Sequence, residues 1–169
     1  GAGDLGARAD RYAEKDSRLW IAVDGDGDGV RKVLADSPAV DILHGPPSRL
    51  VIHGPSVVRP GEEVVLRVAL LDAFANLVPE AGRAVLLRNR PPGWELPESL
   101  VLGEDGTATC AFEARAPGIL RLAAELDVEG RELRADAPPT WVHPDAPRIR
   151  WGDLHGHSNY SDGTGLPED

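Results

Sequence analysis

At 169 residues the chain is long enough for one domain with its own core, or for one domain flanked by fragments. A formal charge of -10, from 18 Lys and Arg against 28 Asp and Glu, argues against a phosphate-backbone partner, which needs basic stripes. No apolar run approaches the roughly 20 residues of a bilayer-spanning helix, no basic and apolar leader opens the chain, and the lone Cys110 has no partner for an internal disulfide.

Met is absent even at position 1, so the chain reads as an internal or processed piece, and the missing leader says little about the parent or its compartment. Gly and Pro are scattered throughout, aromatics are few, and apolar residues recur mostly at period two, which is an all-β pattern. Residues 1–45 read as a partial β-unit. Residues 9–15 suit a strand or a short helical turn, 19–23 a strand, 24–29 a turn, 31–34 the returning arm of a hairpin, and 40–43 another short strand. Pro46-Pro47 then acts as a linker, since neither residue donates a ladder hydrogen bond.

Residues 46–143 read as one immunoglobulin-like β-sandwich. A first strand covers 49–53, and a turn follows at Arg59-Pro60-Gly61-Glu62. Val64, Leu66, Val68 and Leu70 give the next strand one fully apolar face, and 72–76 breaks it. Strands over 84–88, 100–102 and 107–114 come next, the last two joined through Glu104-Asp105-Gly106, a strong hairpin signal. Ala108, Cys110 and Phe112 face inward. Leu120, Leu122, Ala124 and Leu126 line a further strand, and Glu129-Gly130 turns into 131–134. About seven short strands with turns every 8–12 residues make the sandwich signature. The Pro-punctuated stretch 138–150 reads as a linker. Residues 144–169 hold the end of it and the start of another domain, with a strand over 149–155 and a helix start near Thr164, Gly165, Pro167 and Glu168.

The C-terminal run carries the chemistry. Asp153, His155 and His157 share strand parity, so two imidazoles and a carboxylate point one way. That suits a divalent metal such as Zn, Mn or Fe. A bare His-x-His is usually a pair of exposed histidines, but the surrounding residues favour ligands. Asp153-Leu154-His155-Gly156-His157-Ser158 continuing to Ser161-Asp162-Gly163-Thr164 resembles the first motif of the PHP (polymerase and histidinol phosphatase) superfamily. The longer run from Trp151 resembles a bacterial group known as DUF3604 proteins, in which a β-rich region precedes a PHP-like domain. The resemblance implies a mainly β chain that ends in the truncated first strand of a distorted β/α barrel. It implies His155, His157 and Asp162 as metal ligands, and Asp153 as a group that orients an imidazole by hydrogen bonding. In the parent a metal cluster would activate a water to hydrolyse a small phosphorylated substrate. The later ligands are not in this chain, so no catalytic set is complete and the fragment is expected to be inactive.

Two alternatives stand beside this. Amidohydrolases also open on Asp-x-His-x-His and use similar metals on C–N or C–O bonds. The sandwich is otherwise a non-catalytic carbohydrate- or protein-binding module, which an exposed aromatic cluster on one face would support. Asp24, Asp26 and Asp28 alternate with glycine as in a calcium loop, but position twelve is Ala35 and a strand precedes them, which favours a hairpin turn. His44, His53 and His143 read as ordinary surface or interdomain residues. Trp20 and Trp151 read as packing residues and Trp94 as an exposed loop residue. Cys110 reads as a buried small hydrophobe.

Overall fold

Period-two apolar patterning, cut by turns wherever Gly, Pro and Asp cluster, yields strands throughout the chain. A computed structural model describes residues 8–149, which contain fourteen strands and no helix. They are β1 (Glu14–Arg18), β2 (Ala22–Val23), β3 (Lys32–Val33), β4 (Ala39–Ile42), β5 (Arg49–His53), β6 (Val57–Val58) and β7 (Glu63–Leu71). After these come β8 (Ala84–Arg88), β9 (Ser99–Val101), β10 (Thr107–Glu113), β11 (Gly118–Leu120), β12 (Ala123–Val128), β13 (Arg131–Asp136) and β14 (Thr140–Val142).

The expected immunoglobulin-like sandwich is present. One sheet has the order β10-β7-β5 and the other β13-β12-β8-β9. β7 shows how the pattern sets the layers. Val64, Leu66, Val68 and Leu70 are all at most 1% exposed, and in-register neighbours extend each row across the sheet. Val68 stands between Ile52 and Ala108, and Val64 lies beside Phe112. The facing sheet contributes Val85, Leu87, Ala124, Leu126 and Leu133 to the same core. Each such side chain contributes roughly 1.5–3 kcal/mol by leaving water. Cys110 pairs with Leu66 and packs half-buried against this core, as its alternation predicts. Burial pushes its thiol up from the ordinary value. Iodoacetamide at pH 8 should therefore alkylate it several-fold more slowly than in the urea-unfolded chain, and equal rates would place the thiol in solvent.

A third sheet, β11-β14-β6, closes one end. β11 with β12 and β14 with β13 are two long arms of one hairpin. The Leu122 carbonyl accepts from Ala137 N at 2.9 Å at the break between them. Pro138 and Pro139 have no N–H to continue the ladder, so the strand restarts at Thr140. This corrects the expectation of a linker over 138–150. The prolines interrupt pairing for two positions only, after which Thr140 and Val142 are buried and Trp141 faces out. β14 then takes β6 as a parallel neighbour, with Trp141 N donating to Ser56 O at 2.8 Å and His143 N to Val58 O at 3.1 Å.

The N-terminal unit is thinner than the sequence suggests. β1 pairs with β4, and β2 with β3 as the expected hairpin. No described residue covers that ribbon, so Trp20 is 71% exposed rather than a core residue, with the Arg18 guanidinium 5.6 Å above its ring. Trp94 departs the other way. Its loop folds back so that the indole is half-buried, 6.1 Å from the Phe112 ring, rather than free in solvent. Trp151 and the expected barrel strand and helix start, apart from Ile149, lie outside the described residues.

Candidate functional site

The outer face of β11-β14-β6 carries an apolar row that crosses all three strands. Ile119 and Val57 are the in-register neighbours of Trp141, one on each side, so the three side chains share a face. Ile119 is 59% exposed and Trp141 43%. His143, just past the end of β14, stacks on the Trp141 indole with ring centroids 4.8 Å apart and planes 28° apart. The Asp145 backbone N–H donates to His143 Nδ1 at 3.1 Å, which makes Nε2 the donor nitrogen of the neutral ring.

Beyond Val57 the row runs into a cleft of about 500 Å³ between residues 55–62 and 146–149. Arg59 has the parity of Val57 and lines this cleft together with Glu62 and Arg148. Its Nε donates to the Ala146 carbonyl at 3.0 Å, and its backbone N donates to Glu62 Oε2 at 2.8 Å. The first contact anchors the guanidinium to the cleft wall. The second turns one oxygen of Glu62 toward the main chain.

The outer face of β13-β12-β8-β9 is different in kind. There Glu125 accepts from Arg88 Nε at 2.6 Å and from Arg134 Nη1 at 2.8 Å. The hydrogen bond from Arg88, with smaller help from Arg134, holds the Glu125 carboxyl below its ordinary range despite partial burial. That surface is a solvated ion-pair lattice, whose groups are already partnered.

Two other polar clusters are structural. In the β2–β3 turn Asp24 accepts from Gly27 N at 2.8 Å and Gly29 N at 3.0 Å, while Lys32 Nζ lies 3.3 Å from Asp26. The carboxylates of Asp24, Asp26 and Asp28 offer oxygens within 4.8 Å of one another, a donor set for a hard cation such as calcium. All three are exposed, and their Asx bonds are those of a tight acidic hairpin turn.

The second cluster joins the N-terminal unit to the sandwich. Asp72 is 1% exposed and accepts from Gly45 N, Phe74 N, Asn76 N and Asn76 Nδ2 at 2.7–2.9 Å. Asn76 in turn accepts from Ala13 N at 2.8 Å and donates to Arg11 O at 2.9 Å. Burial pushes the Asp72 carboxyl up, but the donors from Asn76, Gly45 and Phe74 together outweigh it and hold the group far below the usual carboxylate range.

The sequence-derived ligands His155, His157 and Asp162, and the orienting Asp153, lie outside the described residues. His53 is exposed at the end of β5, His44 is half-buried with Nδ1 2.7 Å from Gly45 O, and His143 belongs to the aromatic face. The reading of His143 as an ordinary surface residue missed that face, although its signal was available. Thr140-Trp141-Val142-His143 alternates like a strand, and the flanking prolines masked the pattern.

No protein-family model matches the chain, and no curated protein matches it. Among solved structures it is similar to the D00-D0 domain of intimin, at 13% identity over 69% of this chain and 59% of that one, with a TM-score of 0.44. The D0-D1 domain of intimin aligns at 12% identity over 76% and 64%, TM-score 0.45. Domains 4 and 5 of the S-layer protein SbsC align at 15% identity over 69% and 54%, TM-score 0.36. The chain spans less than two thirds of either intimin structure. The resemblance to PHP metallohydrolases of the DUF3604 group is corrected: no family model of that kind matches, and the described residues fold into β-sheets rather than a β/α barrel. The hydrolase reading drawn from that resemblance is withdrawn with it. The physical reason is one of extent. The resemblance rested on a short terminal motif, whereas most of the chain is sandwich. No helix among the described residues is long and apolar enough to cross a membrane.

Proposed function

We propose that this chain is a non-catalytic, saccharide-binding β-sandwich module that uses the outer face of β11-β14-β6. The observation that carries the reading is the row Ile119–Trp141–Val57, with Ile119 and Trp141 exposed and Val57 half-buried, set in register beside a cleft of about 500 Å³. A flat indole offers a pyranose ring an apolar platform, and the stacked His143 supplies a donor at its edge. Size favours a small ligand over a protein partner. Ligand sites typically measure about 300–1,000 Å³, and a stable protein interface needs roughly 800 Å² from each side, far more than three side chains provide. The buried polar groups support a structural rather than catalytic role for the interior. Asp72 is satisfied by the main chain and Asn76, and Thr140 donates to Pro55 O at 2.6 Å.

The test is an array of neutral and acidic oligosaccharides probed with the full chain and with Trp141→Ala. The variant should lose tenfold or more in affinity, about 1.4 kcal/mol or above, while still melting cooperatively as a folded chain, because the indole lies outside the core between the two large sheets. An array with no binder, or one that Trp141→Ala binds as well as the parent chain, would overturn the reading.

A further inference from the structure

We infer that the saccharide is an acidic one, whose carboxylate is taken by Arg59 and Arg148 while its ring, or a neighbouring ring, lies on Trp141. The inference rests on the saccharide-binding reading and adds the ligand's charge. Three observations lead to it. Pro55, Val57 and Arg59 share parity along one side of the chain, so the cleft continues the face that carries Trp141. Neighbouring strands lie about 4.8 Å apart, so the indole on β14 and the cleft beside β6 are within the span of one or two sugar rings.

Second, among the described residues the charges lining the cleft do not cancel. Arg59 and Arg148 face one acid, Glu62, and one oxygen of that acid already accepts from the Arg59 main-chain N–H at 2.8 Å. Third, the anchor from Arg59 Nε to Ala146 O presets the guanidinium, so less side-chain freedom is lost when its Nη groups meet a carboxylate. Guanidinium and carboxylate match as a planar two-bond pair, stronger than neutral hydrogen bonds. The net charge of -10 opposes any anion at long range. Salt screens that repulsion beyond about 8 Å at physiological strength, which leaves the local arginine geometry to decide. The apolar row holds the sugar ring, and the arginines discriminate a uronate from a neutral hexose.

The experiment is isothermal titration calorimetry on the full chain with galacturonate, mannuronate and glucuronate-containing tetrasaccharides, and with cellotetraose as the uncharged comparison. At least one uronate should bind about tenfold or more tightly than cellotetraose, the scale of one charge-assisted hydrogen-bond pair. Its Kd should rise with NaCl. Arg148→Gln, on an exposed residue outside the strands, should remove most of that preference, and Arg59→Gln the rest. Trp141→Ala should weaken uronate and any residual cellotetraose binding alike. Because Arg59 anchors residue 146, a thermal melt accompanies its variant, while Arg148→Gln gives a readout free of that contact. Cellotetraose binding as well as the uronates, or Arg148→Gln and Arg59→Gln both keeping the uronate preference, overturns the acidic ligand and leaves the saccharide reading intact. If no saccharide binds, or if Trp141→Ala changes nothing, the binding face itself is wrong.

Discussion

Gly106→Ala is expected to destabilise the chain by roughly 4 kcal/mol or more, in the range where a specific steric cause is required. Gly106 sits at φ +73 in the turn before β10, and a Cβ there would fall on the Val78 carbonyl oxygen, with the Val78 carbonyl carbon 2.7 Å away. Both obstacles are backbone, so no rotamer relieves them. The surrounding bonds leave little room to retreat. Gly106 N donates to Gly103 O and Leu70 N to Gly106 O, each at 3.0 Å, and Val78 N donates to Leu70 O at 2.9 Å. Moving the turn away from Val78 therefore pulls on the end of β7, where Leu70 is fully buried. Gly61→Ala is the matched comparison. Its φ is +87 but nothing lies within 4 Å of an added Cβ, so it should cost only the left-handed backbone penalty of about 1–2 kcal/mol. Urea denaturation of the two variants measures the gap, and similar losses in both would refute the close backbone approach.

Asp72→Ala is expected to lower the melting midpoint by on the order of 10 °C, since a 1 kcal/mol change moves a chain of this length by about 2–4 °C and several buried donors lose their acceptor together. Gly45 N, Phe74 N and Asn76 N all point at this one carboxylate. The same change should loosen the N-terminal unit, because Asn76 is held by Asp72 while it holds Arg11 and Ala13. Limited proteolysis should then cut residues 8–45 first. The pH dependence has a definite sign. The folded carboxyl is depressed, so its contribution is fully present above the unfolded value of about 3.9 and is lost as pH falls through the lower folded value. Asp105, held down mainly by the Thr107 N–H, and Glu125, held down mainly by Arg88, act in the same direction. The difference between the parent chain and Asp72→Asn isolates the contribution of Asp72. An Asn variant with the parent's acid limb would show that this carboxylate does not govern it.

The division of the fold between local pattern and tertiary packing can be followed residue by residue. The inward faces of β7, β10 and β12 were legible because one buried face forces strict alternation, and Val64, Leu66, Val68 and Leu70 stand where that alternation puts them. The turn at Asp105-Gly106 was legible because its backbone conformation admits few residue types, but the expected hairpin is corrected: β9 pairs with β8 and β10 with β7, so the turn carries the chain from one sheet to the other. Trp20 was misread because it falls between β1 and β2 rather than inside a strand, and no described residue lays a second layer over β2 and β3. The 138–150 stretch was misread because Pro138 and Pro139 reveal where a ladder breaks but not that β6, more than eighty residues away in sequence, waits to restore it.

The candidate face shows the same limit. Each of Ile119, Trp141, Val57 and Arg59 is unremarked in its own segment, and only the parallel pairing of β6 with β14 and the return of β11 bring them onto one surface. By itself the sequence determined the class of structure, mainly β, and the inward half of its core, because period two and turn chemistry are local properties of the chain. Tertiary structure alone decided which outward residues become neighbours, since hydrogen-bond registers between distant strands are chosen by packing of the whole core rather than by any short run of residues.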